Sequence, residues 1–291
     1  MVRSVRELSR GTKMNAPVPV QVIAIASGKG GVGKTQAAVN LAWSLAARGR
    51  RVMVLDANFA LPSVDLALGV QPEVTLADVM EGRCRLGDAL YGTPGGFQII
   101  AGAAGRLPGQ FPPLQQAGLI QAFSDLPVIP EVLLIDCAPG IGSDVLGMLR
   151  AASEVLLVVN DEPAASAAAY SLLRRLAQEH GLSRFRLMAS MTLSASEGRA
   201  LHERLLRQSE ALGGVSLDYL GAVPADDSLR RAVQRQRTVC EVFPRSRAAN
   251  AYRELAEKID AWPLPANPRG HLEFFVERLI GAQAAPRPAR P

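Results

Sequence analysis

Cysteine is nearly missing from this 291-residue chain: Cys84, Cys137 and Cys240 stand far apart, with no paired spacing. A zinc ribbon, a disulfide frame or an iron–sulfur carrier needs paired thiols, so all three are excluded as organising devices. The cysteines read instead as small buried hydrophobes in a reducing compartment. Long apolar runs are missing too, none approaching the ~18 residues of a membrane-spanning helix. The first 20 residues carry Arg3, Arg6, Arg10 and Lys13 without an apolar h-region, which excludes a secretory signal. A cytoplasmic protein is expected. Lysine is the scarcest charge, with four among 32 basic residues.

What is present is ordinary for a globular fold: 48% hydrophobic and 20% charged residues. The net charge of +5 is modest for this length. It fits a solvated basic surface, and direct DNA binding is not expected.

Two of the four lysines fall in one stretch, Ser27-Gly28-Lys29-Gly30-Gly31-Val32-Gly33-Lys34-Thr35. An apolar β-branched run, Val22 to Ala26, precedes it, and a helical pattern, Gln36 to Ala47, follows it. Strand, glycine-rich loop and helix in that order are the context of a P-loop. Glycines let backbone N–H groups turn inward around phosphate oxygens, and the helix adds its positive N-terminal end. Gly28, Lys29, Gly30, Gly31, Val32, Gly33, Lys34, Thr35 and Gln36 are therefore the candidate phosphate cradle. Lys34 suits the β- and γ-phosphates, and the Thr35 hydroxyl suits Mg²⁺.

Downstream, apolar strands at 51–56, 97–100, 131–136, 155–159, 185–188 and 219–223 alternate with helical patterns. The helices are expected over 75–81, 86–91, 115–126, 143–152, 164–178, 195–212, 228–236 and 247–261. This alternation predicts an α/β fold, a doubly wound and mostly parallel sheet with helices on both faces. The chain divides into an N-terminal arm (1–20), a nucleotide-binding domain (21–262), a Pro-rich connector with an amphipathic helix (263–281), and a disordered tail (282–291). Met14 leaves two translation starts open.

Asp56 and Asp136 each close an apolar strand. Ligands of open α/β sheets sit beyond the strands' carboxyl ends, so both aspartates are candidates, with Thr35, for holding Mg²⁺ and its waters. The competing role is capping of the next helix. Gly140 is a candidate for bringing a backbone N–H to the terminal phosphate.

These motifs resemble the deviant Walker A form of the MinD/ParA ATPases, in which the early lysine, here Lys29, reaches across an ATP-sandwich dimer. The likeness continues through Asp56, the loop Asp136 to Ile141, and Gly221-Ala222-Val223-Pro224-Ala225-Asp226, which is similar to the family's adenine-side loop. Within the family, Thr75 to Val79, Gln116 to Asp125, Phe243 to Ser246 and Trp262 to Phe275 resemble its flagellar-number regulators. The resemblance covers about residues 20–280. It implies an ATP- and Mg²⁺-dependent homodimer that restrains a flagellar transcription activator of the FleQ type, with the flagellar SRP-type GTPase FlhF as a further partner. It assigns adenine contacts to Ser190, Pro224 and Asp226, and catalysis to Lys29, Lys34 and the position of Asn58.

Three departures modify that expectation. The family's Asp-x-Asp is here Asp56-Ala57-Asn58, and an amide does not accept a proton from water as a carboxylate does. Hydrolysis is therefore expected to be impaired. Ala60 and Pro62 stiffen the same loop, and Ser190 replaces the usual adenine-contacting Asn. Leu272, Phe275, Val276, Leu279 and Ile280 form one apolar helical face. Glu273 and Glu277 make its polar side a poor membrane anchor, so weak contact with the inner membrane or cell pole stands beside docking on the domain. The alternatives are an ATP-locked, non-hydrolysing binding module and a DNA-segregation ATPase.

Overall fold

The computed structural model describes residues 20–102, 126 and 128–263. The N-terminal arm, the helix expected over 115–126 apart from Leu126, and the chain from 264 onward lie outside the described residues.

Among the described residues, eight strands form one sheet in the order β3-β4-β2-β5-β1-β6-β7-β8. They are β1 (Gln21–Ala26), β2 (Val52–Ala57), β3 (Leu90–Gly92), β4 (Gln98–Ile100), β5 (Val132–Cys137), β6 (Glu154–Asn160), β7 (Arg184–Thr192) and β8 (Ser216–Pro224). All neighbours run parallel except β3 and β4. Every residue of β1, β2 and β5 is buried, as parallel strands covered by helices on both faces must be. The all-apolar runs read from the sequence therefore lie at the centre of the sheet.

The helices are α1 (Lys34–Ala46), α2 (Val64–Leu68), α3 (Leu76–Met80), α4 (Ser143–Ala151), α5 (Pro163–His180), α6 (Ala195–Glu210), α7 (Asp227–Gln234), α8 (Val239–Val242) and α9 (Arg247–Asp260). Their ends obey local chemistry. Ser194, Thr238 and Ser246 cap α6, α8 and α9 with side-chain oxygens. Gly181 closes α5 in the left-handed conformation.

The helix expected over 86–91 is corrected. Residues Leu86–Ala89 make a single 3₁₀ turn, and Leu90–Gly92 pair antiparallel with β4. Leu86, Ala89 and Leu90 have helical spacing, but ladder pairing of Leu90 with Ile100 prevails over it. The helix expected over 228–236 ends at Gln234: Gln236 turns to φ 53°, and a second short helix, α8, starts only at Val239 behind its cap Thr238. The strand expected at 185–188 runs on to Thr192, which brings Ser190 to the sheet's carboxyl edge.

Candidate functional site

β1 lies between β5 and β6, so the chain's crossovers diverge around it and leave a crevice beyond its carboxyl end. The loop Ser27–Gly33 fills that crevice and opens into α1, whose cap residue Gly33 adopts φ 92°. A side chain there would be strained, and the glycine frees the first amides of α1 to face the loop. Gly28 has a different role. A Cβ on it would lie 2.2 Å from the carbonyl carbon of Ala168, so the loop rests directly on the α5 backbone.

Lys34 is buried, and its Nζ donates to Ser27 Oγ at 2.8 Å inside the loop. Burial pushes its ammonium below the usual lysine range, while Asp136 and Cys137 act in the opposite direction. A charged amine with one neutral partner is suited to anionic oxygens placed within the loop.

Asp56 and Asp136 occupy the same register on adjacent strands, so their carboxylates stand side by side beneath the loop. Thr35 Oγ1 donates to Asp136 Oδ2 at 2.6 Å and lies 3.0 Å from Ser63 Oγ. Asp56 accepts N–H groups from Ser63 (2.7 Å), Val64 (2.9 Å) and Asn58 (3.0 Å), which ties the start of α2 to the end of β2. Asp136 differs: its Oδ1 is buried with no hydrogen-bond partner. Burial raises its pKa to about 7, helped by the Asp56 charge and opposed by Thr35 and Lys34. A buried, unpartnered carboxylate oxygen beside a threonine hydroxyl fits a hydrated Mg²⁺. Thr35 and Asp136 would hold the ion, with Asp56 shaping the wall behind them.

Asn58 is half-buried and turns its Nδ2 back to the Leu61 carbonyl at 2.7 Å. Lys29 is ion-paired with Glu162, whose carboxylate also accepts Asn160 Nδ2 at 2.8 Å. The early lysine is thus held by its own chain.

On the base side, Ser190 Oγ donates to the Val32 carbonyl at 2.7 Å, bracing the phosphate loop against β7. Asp226 caps α7 through Ser228 N (2.7 Å) and reaches Ala248 N (2.9 Å) at the start of α9. Pro224 ends β8. Gly140 has φ 99°, and its N–H donates to the Ser27 carbonyl at 2.9 Å. Gln36 accepts Asn40 Nδ2 on its backbone carbonyl at 2.8 Å. Sequence reasoning missed Glu162 and Ser63. Glu162 follows the end of β6 as Asp56 and Asp136 end their strands, so the same signal was available for it. Ser63 had none, because only the fold of the 58–63 loop brings it to Thr35.

The loop, its buried lysine and the two strand-end carboxylates define a P-loop nucleotide-binding protein of the MinD-like, doubly wound kind. The ParA family model, described as NUBPL iron-transfer P-loop NTPase, matches residues 19–82. Antiactivator FleN of Pseudomonas aeruginosa is 53% identical over 269 residues, 92% of this chain and 96% of its own length. The flagellum site-determining protein YlxH of Helicobacter pylori is 27% identical over 89% of each chain. The cell division ATPase MinD of Pyrococcus furiosus superposes with TM-score 0.66 at 27% identity, covering 82% of this chain and 98% of its own. The chain belongs to the MinD/ParA-type P-loop ATPases, among the FleN-like regulators.

Proposed function

We propose that this protein binds ATP with Mg²⁺, dimerises around two nucleotides, and in that state restrains a flagellar transcription activator of the FleQ type, so controlling flagellar number. An FlhF-type GTPase is a further partner in this proposal. The observation behind the nucleotide step is the buried Lys34 inside a loop of turned amides, above a carboxylate with an unsatisfied oxygen. Bound Mg²⁺ would supply charge neutralisation for the phosphates; the chain's own residues position them. Dimerisation is supported by exposed apolar residues that follow three strand ends on the nucleotide edge: Leu61 and Leu66 after β2, Ile141 after β5, and Met191 and Leu193 at β7. Apolar side chains gathered at one edge favour being covered. The antiactivator reading rests on the likeness to FleN.

A second reading, an ATP-locked module that hydrolyses nothing, is favoured by Asn58. Its amide donates to Leu61 and presents no carboxylate that could take a proton from water. One experiment separates the two: sizing the protein with ADP and with ATP–Mg²⁺ while phosphate release is measured, for the unmodified chain and for Asn58→Asp. The regulator with impaired hydrolysis gives an ATP-dependent dimer, slow release, and a rate rising at least about tenfold in the variant. A dimer without release in either form leaves the locked module. Failure to bind ATP sinks both.

A further inference from the structure

We propose that the α7–α8 corner is a docking site for an acidic segment of a partner protein, gripped by Arg231 and Arg235 over the ring of Phe243. This inference goes beyond the nucleotide reading and does not depend on it. The two arginines are four residues apart, one at the last turn of α7 and one at its end, so they share one helix face. Their guanidinium carbons lie 4.7 Å and 5.3 Å from the centre of the Phe243 ring. Both side chains are exposed, and among the described residues neither has an acidic partner. The neighbouring arginines differ in this respect: Arg230 pairs with Asp227 and Arg237 with Glu241.

The bracket is rigidly built. Gln236, at φ 53°, closes α7 and packs its Cβ against Gly69 at the end of α2, where an added Cβ would sit 3.1 Å away. Arg237 N donates to the Ala232 carbonyl at 3.1 Å, and Phe243 N to the Val239 carbonyl at 2.9 Å. Thr238, fully buried, caps α8 between them. Two arginines laid on an aromatic face lose little side-chain freedom when they bind, and their fork N–H groups stay open toward solvent. That is a pre-organised grip for carboxylates.

The flanking charges choose between acidic peptide and nucleic acid. Asp227 and Glu241, which flank the two arginines in the chain, are already engaged by Arg230 and Arg237. What stays open is a patch of two arginines among paired charges, enough for a short acidic turn of peptide and not the continuous basic track that a phosphate backbone needs.

The test uses the full chain, with ADP and with ATP–Mg²⁺, and measures fluorescence anisotropy of a labelled peptide of Glu-Glu-Leu repeats against a labelled short DNA duplex. The proposal expects peptide binding that weakens at least about tenfold in Arg231→Glu/Arg235→Glu, and about threefold in Phe243→Leu, which keeps an apolar side chain beneath the arginines. Both changed arginines are exposed, and an unchanged circular dichroism spectrum and melting temperature show that the variants are folded. Three outcomes overturn the proposal: no peptide binding by the unmodified chain, binding unaffected by the double reversal, or DNA bound more tightly than peptide and lost in the same variant.

Discussion

At the residue scale, Asp136 is the least comfortable group in the site. One oxygen is satisfied by Thr35, and the other is buried without a partner beside a second carboxylate, Asp56. Its folded pKa of about 7 lies above the ordinary 3.8. Between those values the folded protein holds a proton that the unfolded chain has released, so stability without nucleotide is highest at low pH within this window and falls as pH rises through it. Asp136→Asn removes the charge at nearly constant shape. The variant should melt at least roughly 3 °C above the unmodified protein at pH 8, with the gap closing by about pH 5. It should also lose the extra stabilisation that ATP gains from Mg²⁺. Melting curves at the two pH values decide this, and equal melting temperatures at pH 8 would show that the carboxylate is already satisfied.

At the element scale, the P-loop and its neighbours differ in how much of them could be read in advance. Spacing alone places Lys34 and Thr35 at the head of a helix, and strand-end position alone places Asp56 and Asp136 beneath them. Those relations are local, or follow from the periodicity of buried parallel strands, which is why they are legible. What could not be read is non-local. Leu90 joins a ladder only because β4 lies opposite, and the Ser190 hydroxyl meets Val32 only because β7 extends to Thr192. Gly28 belongs to both groups. Its place in the motif is legible, whereas its contact with the α5 backbone is not. Gly28→Ala would force a Cβ to 2.2 Å from the Ala168 carbonyl carbon, and backbone cannot swing aside as a side-chain tip does. The substitution should lower unfolding stability by about 2 kcal/mol and weaken nucleotide binding as the loop lifts. Gly30→Ala is the matched control, because its nearest neighbour would be the Pro139 ring at 3.8 Å. Urea titrations of the two variants that shifted equally would remove the close-approach argument.

At the scale of the whole molecule, the question is what keeps a single chain single. Lys29 is tethered to Glu162 at the start of α5, on the same edge that exposes Leu61, Leu66, Ile141 and Leu193. If Lys29 is to serve a partner's phosphates, as the proposed dimer requires, this intrachain pair must break first. Both groups are substantially exposed, so the pair is weak and its loss shifts the balance only modestly. Glu162→Gln keeps the side chain's length and removes its charge. The ATP–Mg²⁺ dimer should then form at a total concentration about two- to fivefold lower than in the unmodified chain, with the ADP form still monomeric. Asp161→Asn provides the comparison, because Asp161 pairs with Arg204 on α6 and not with the loop. Sedimentation equilibrium reads both variants. A Glu162→Gln dimer no tighter than the unmodified one, or equally tightened by Asp161→Asn, would mean that the pair is surface charge and not a restraint on assembly.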